Sequence, residues 1–135
     1  PSAPYLIGRL EGHDGVELVF LPRHGRNHQF NPSEVNYRAN IFGMKALGVS
    51  WIISVSAVGS LQEQVVPGHV VVIDQFIDRT KNRAATFFER GMVAHISFGD
   101  PVCLKLREIL LTAAASTEAT VHDGGTYVCM EGPAF

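Results

Sequence analysis

The run Trp51-Ile52-Ile53-Ser54-Val55-Ser56-Ala57 limits the fold more than any other stretch of the chain. It is too short for a buried helix and rich in β-branched residues, which predicts a strand buried on both faces. A helix is predicted just before it. Asn31-Pro32-Ser33-Glu34 supplies a capping residue, a proline at the first helical position and a glutamate at the third. Val35, Ala39, Phe42, Ala46 and Leu47 then recur at helical spacing up to Gly48, giving about four turns. Upstream, Leu6-Ile7-Gly8-Arg9-Leu10 and Val16-Glu17-Leu18-Val19-Phe20-Leu21 flank the turn cluster Glu11-Gly12-His13-Asp14-Gly15, the pattern of a hairpin. Strand, helix and buried strand in succession imply a layered α/β sheet.

Further elements follow the same logic. Pro67-Gly68 turns the chain into a strand at Val70-Val71-Val72-Ile73, and residues 74–90 form a polar, aromatic-containing loop without clear period. Asp100-Pro101 opens a second helix carrying Leu104, Ile109, Leu110 and Ala113 to about Ser116. Residues 119–130 form a strand broken by Gly124-Gly125, and Glu131-Gly132-Pro133-Ala134-Phe135 is a turn of the kind that leads into another element. There is no internal repeat, low-complexity tract or linker, so residues 1–135 are expected to be one domain, interrupted at its end.

The 135 residues are 46% hydrophobic and 18% charged, with net charge −2, the balance of a soluble globular domain. Near-neutral charge supplies no broad field for nucleic acid or anionic lipid. No apolar run reaches the roughly 20 residues of a membrane span, and no leader precedes the first strand, so no membrane partner and a cytoplasmic location are expected. Cys103 and Cys129 lack metal-ligand spacing and are expected to be buried, reduced thiols. No metal is expected.

The chemistry concentrates in Pro22-Arg23-His24-Gly25-Arg26-Asn27-His28, where a strand runs into a basic loop. Arg23 offers a guanidinium fork and His24 an imidazole, a pair suited to a phosphate dianion by charge-assisted hydrogen bonds. Ser56-Ala57-Val58-Gly59-Ser60, small residues at a strand end, could complete an anion cradle opposite Arg23, or form an ordinary tight turn. His95 is either a core histidine or a ligand contact. His28, Asn27 and Asn36 are expected to tie the basic loop to the helix, and His13 and His122 to lie on the surface. Phe135 could stack on a planar ligand or fill the core, and Glu131 is a cap or a ligand contact. Two classes of phosphate chemistry fit Arg23-His24-Gly25. In a histidine phosphatase His24 is the nucleophile; in a nucleoside phosphorylase arginine and histidine bind inorganic phosphate, which attacks the sugar.

Beyond the triplet, the ordered stretches Arg23-His24-Gly25-Arg26-Asn27-His28, Val35-Asn36-Tyr37-Arg38-Ala39-Asn40 and Ser56-Ala57-Val58-Gly59-Ser60-Leu61 resemble the trimeric purine nucleoside phosphorylase family. Ile73-Asp74-Gln75-Phe76-Ile77-Asp78-Arg79-Thr80, Thr86-Phe87-Phe88, Val93-Ala94-His95-Ile96 and the final Glu131-Gly132-Pro133-Ala134-Phe135 are most similar to members acting on 5′-methylthioadenosine. The resemblance implies a three-layer α/β/α fold around a mixed, partly barrel-like sheet, a homotrimer, and phosphorolysis to adenine and 5-methylthioribose 1-phosphate. It implies phosphate binding by Arg23, His24, Ser56 and Ala57, and nucleoside contacts from Ala57, Gly59 and Phe135. His95 would close the 5′-substituent pocket of a neighbouring subunit, with His28 and Glu131 in support. Inorganic phosphate is the co-substrate and no metal or organic cofactor is implied.

The sequence departs from the family pattern in places. The family's N-terminal glycine-rich strand and its C-terminal third, which carries the acid that protonates the purine, have no counterpart here, so the catalytic acid is unassigned. Ala134 replaces the usual arginine of its motif, and the loop from Lys81 to Arg90 is shorter than in animal members, as in bacterial ones. A methylthioinosine or 6-oxopurine nucleoside phosphorylase, a histidine phosphatase using His24, and an inactive fragment are the alternatives.

Overall fold

A computed structural model of the chain describes residues 1–132. It contains two compact units, one formed by Pro1–Ile52 with Asn82–Val93 and the other by Ile53–Lys81 with Ala94–Phe135.

In the first unit the expected hairpin forms. Strands β1 (Leu6–Arg9) and β2 (Glu17–Phe20) pair antiparallel with Leu6 opposite Phe20 and Arg9 opposite Glu17. The helix begins later than the sequence predicts. Asn31 accepts from the backbone of Ser33 and Glu34, and Glu34 Oε2 accepts from Asn31 N, so the capping box forms. It closes a separate turn, however, and α1 (Tyr37–Ala46) starts only after Asn36, whose side chain takes over as the cap by accepting from Ala39 N at 3.1 Å. Asn36 thus caps the helix and does not tie it to the basic loop.

The buried centre of this unit is small and partly polar: Ala3, Val35 and Asn40. Asn40 Oδ1 accepts from Ser2 N at 2.7 Å and its Nδ2 donates to Ser2 Oγ, while Tyr5 Oη donates to the Asn40 carbonyl at 2.7 Å. A buried amide satisfied in this way stabilises the packing, whereas the same group left unpaired costs about 1–3 kcal/mol. These bonds pin the chain start to α1. Residues 82–93 join the same helix through Arg38, which bonds the Thr86 carbonyl and the Glu89 carboxylate, both 3.0–3.2 Å away.

The second unit is built on parallel pairing. Strand β3 (Val70–Val72) pairs with β5 (Val121–Asp123), and β4 (Gln75–Arg79) with β6 (Thr126–Met130). The register is the same in both ladders, so they are one long parallel pair interrupted at Ile73-Asp74 and Gly124-Gly125. The break expected at the glycines is therefore real. Asp74 N donates to the Gly125 carbonyl and Asp74 Oδ1 accepts from Gly125 N, replacing ladder bonds with a side-chain bridge. Gly124 at φ 92° sits where a Cβ would meet Asp74 Oδ2 at 2.8 Å. Helix α2 (Leu104–Ala114) packs on β3 and β5, and Arg107 pairs with Asp123.

Four expectations are corrected here. Residues 74–90 hold strand β4 at their start, because a partner in register outweighs the weak local alternation of Gln-Phe-Ile-Asp-Arg. Helix α2 opens at Leu104 with Cys103 at the cap, three residues beyond Pro101. Cys103 is exposed and Cys129 half-buried, and the two are not joined in a disulfide. The run at residues 51–57 joins no ladder and is exposed, Val55 at 79%. Its composition suits burial between two neighbouring strands, and no such neighbours occur among the described residues. No helix among the described residues is long and apolar enough to cross a membrane.

Gly43 is tightly placed: a Cβ there would collide with the Tyr5 ring and hydroxyl. Alanine in a helix interior normally gains about 0.5–1 kcal/mol over glycine. Here Tyr5 is held by its bonds to α1, so Gly43→Ala is expected to destabilise by about 1–3 kcal/mol in urea unfolding. In a Tyr5→Ala background the same substitution should be neutral or stabilising.

Candidate functional site

The loop at residues 22–30 leaves β2 and folds on itself. Gly25 N donates to the Pro22 carbonyl at 2.8 Å, His28 N to the Gly25 carbonyl at 3.1 Å, and Phe30 N to the His24 carbonyl at 3.1 Å. Gly25 is buried at φ 79°, and a Cβ there would run into the Gln29 amide, whose Oε1 accepts from Asn27 N at 3.1 Å. Asn27 is thus tied within the loop and not to the helix. His28 takes the left-handed conformation, φ 53°, which is uncommon for a non-glycine residue.

The fold of this loop fixes the chemistry of His24. Its Nδ1 lies 2.8 Å from the Phe30 carbonyl oxygen. A carbonyl only accepts, so Nδ1 carries the proton and Nε2 is left for a ligand. Nε2 then acts as an acceptor in the neutral ring and as a donor in the imidazolium. The His28 ring stacks on His24, centroids 4.7 Å apart and planes 20° from parallel, which holds the imidazole from one face. His28 thus meets His24 by ring contact within the loop, where a hydrogen-bonded tie to the helix was expected. Arg23, half-buried, precedes His24 directly in the chain.

The remaining candidates belong to the second unit. Ser56, Ala57 and Gly59 lie in the exposed segment that carries no ladder. Ser60 is committed to its own turn, its hydroxyl donating to the Gln62 carbonyl at 2.8 Å and accepting from Gln62 N. His95 is exposed in a segment without regular structure and is not a core histidine. Glu131 is half-buried directly after β6. Phe135 lies outside the described residues. The surface position expected of His122 is corrected: it is half-buried on β5, in contact with His69. Among the described residues no three or more His, Cys, Asp or Glu side chains gather as a metal-binding group. Sequence reasoning missed the Phe30 carbonyl, since a backbone acceptor leaves no residue-type signal; the only hint was the turn chemistry of Gly25 that folds Phe30 back.

Residues 2–135 match the phosphorylase superfamily. The S-methyl-5′-thioadenosine phosphorylase of Geobacter sulfurreducens is 64% identical over 136 residues, covering the whole of this chain and 46% of the relative. Among solved structures, a methylthioadenosine phosphorylase sourced from an antarctic soil metagenomic library superposes with TM-score 0.92 at 50% identity, over 100% of this chain and 47% of that one. The methylthioadenosine phosphorylase of Schistosoma mansoni in complex with adenine gives TM-score 0.88 at 37% identity, over 97% of this chain and 54% of that one. The chain spans about half the length of the curated relatives it matches. The mixed α/β fold expected from the sequence is that of these nucleoside phosphorylases.

The geometry of the loop predicts the tautomer of His24. In ¹⁵N-resolved imidazole spectra of the neutral protein, His24 is expected to carry its proton on Nδ1. A proton on Nε2 would mean that the bond to Phe30 does not form.

Proposed function

Because this chain belongs to the phosphorylase superfamily, we propose that the protein cleaves 5′-methylthioadenosine with inorganic phosphate, giving adenine and 5-methylthioribose 1-phosphate. The observation that carries the reading is the Arg23-His24 loop, in which the bond between His24 Nδ1 and the Phe30 carbonyl leaves Nε2 for a ligand on the residue that follows an arginine, in a chain 64% identical to a relative bearing that activity in its name.

The chemistry asks little of the protein beyond positioning. The C1′–N9 bond breaks with its electron pair going to the purine, while a phosphate oxygen forms a new bond to C1′. Positive charge grows on the ribose and negative charge on the base, so a dianion held against the sugar stabilises the first and captures it. Arg23 and His24 bind that phosphate, Ser56 and Ala57 complete the contacts at phosphate and ribose, and Gly59 and Phe135 border the nucleoside. His95 closes the 5′-substituent pocket of a neighbouring subunit in a homotrimer, and His28 and Glu131 support the site. The proton taken up by the purine comes from a carboxylic acid that we assign to no residue of this chain. Inorganic phosphate is a co-substrate; no metal or organic cofactor takes part in this reaction, which belongs to the cytoplasm.

A charge-assisted hydrogen bond contributes about 1.5–3 kcal/mol, and about 1.4 kcal/mol is tenfold in affinity. Arg23→Ala in the intact protein is therefore expected to raise the KM for phosphate at least about tenfold, with a smaller change in the nucleoside KM. An unchanged phosphate KM would remove Arg23 from the anion site. A neutral His24 with Nδ1 tied to a carbonyl would also suit a nucleophile, the phosphatase alternative. Exposure to a ³²P-labelled phosphomonoester should leave His24 unlabelled; a stable phosphohistidine at that position would favour the phosphatase.

A further inference from the structure

His69 and His122 stand 53 residues apart in sequence, yet His69 Nδ1 and His122 Nε2 are 2.9 Å from each other. Strand pairing causes the meeting. His122 lies on β5 opposite Val71, and the Val66 turn holds His69 just before β3, with His69 N donating to the Val66 carbonyl at 3.1 Å. The rings are tilted by 39° with centroids 5.0 Å apart. Both are half-buried, so they are held by the protein and remain reachable from solvent. Neither takes part in the phosphorolysis described above.

We propose that His69 and His122 form a two-histidine chelating site for a divalent transition metal, Cu(II) or Ni(II), that clasps the start of β3 to β5. Neutral imidazoles are ligands for this class of ion, and among the described residues no carboxylate shell of the kind that suits calcium or magnesium gathers at the pair. The spacing suits chelation. With metal–nitrogen bonds of about 2.0–2.1 Å, nitrogens 2.9 Å apart subtend about 90° at the metal. That is the angle between adjacent ligands in square-planar or octahedral coordination.

The metal-free state is the hydrogen bond itself. Val66 N points at His69 Nδ1 from 3.5 Å, which favours a lone pair there and makes His122 Nε2 the donor. Chelation needs a lone pair on both facing nitrogens. The His122 proton therefore moves to its Nδ1, no net proton is released, and both rings turn toward a common point beside the line that joined them. Water fills the other coordination positions, because no third His, Cys, Asp or Glu joins the pair among the described residues. Asp123, next to His122, is already paired with Arg107. The other close histidine pair, His24 with His28, is stacked face to face and has Nδ1 of His24 tied to Phe30, so its lone pairs do not converge.

The test is titration of the intact protein with CuSO₄ and NiCl₂, followed by calorimetry and by the Cu(II) electron paramagnetic resonance spectrum. One equivalent per chain is expected, with nitrogen hyperfine structure from two imidazoles and a rise in Tm on Ni(II) addition. Loss of even an outer partner costs a metal site about 10–100-fold, so His69→Ala and His122→Ala should each weaken binding at least tenfold. His28→Ala should bind as the parent does. The spectrum of the unmodified protein decides the matter even if a variant unfolds. Absence of a two-nitrogen signal, or equal binding by folded His122→Ala, overturns the site and leaves the pair as a hydrogen bond only.

Discussion

A single hydrogen bond, from His24 Nδ1 to the Phe30 carbonyl, governs what the basic loop presents to a ligand. It is made possible by Gly25, whose positive φ and lack of a Cβ let the chain reverse tightly enough for Phe30 to return over His24. The backbone bond from Phe30 N to the His24 carbonyl runs beside it, so ring and main chain are fixed by the same partner. The outcome is an imidazole with one defined tautomer, packed on one face by His28, immediately after an arginine. An imidazole held by such internal bonds needs no reordering when a ligand arrives, which is the condition for catalysis by positioning.

The second unit shows a different use of glycine. One parallel strand pair runs from Val70 to Arg79 against Val121 to Met130, and its register survives a two-residue interruption on each side. At the interruption the Asp74 carboxylate substitutes for a ladder bond, and Gly124 leaves the room it needs. Glu131 follows directly on the last strand of this pair, so the bend at Asp74 and Gly124 sets where the chain arrives at that residue.

Much of this was legible in the residues. The hairpin and the Gly124-Gly125 break stand where local chemistry puts them, because each depends on neighbours in sequence, whereas the capping box at Asn31 forms but closes a turn ahead of the helix it was expected to open. Strand β4 was not legible: Gln75 to Arg79 is a strand only because β6 lies beside it in register. The segment at residues 51–57 errs in the opposite direction. Its apolar pattern records the surroundings it is suited to, and pattern alone does not supply the neighbouring strands. At the candidate site, Arg23, His24 and His28 could be named from sequence as a basic loop. The carbonyl of Phe30 and the pairing of His69 with His122 could not, since both arise from how the backbone returns and not from residue spacing.

Phosphorolysis differs from hydrolysis only in the nucleophile, and the role proposed for the Arg23-His24 loop is to hold that nucleophile. Adenine release from 5′-methylthioadenosine by the intact protein, followed with and without inorganic phosphate, therefore tests the account most directly. The account predicts release only with phosphate, matched mole for mole by 5-methylthioribose 1-phosphate. Equal release without phosphate, with free 5-methylthioribose as the sugar product, would contradict it.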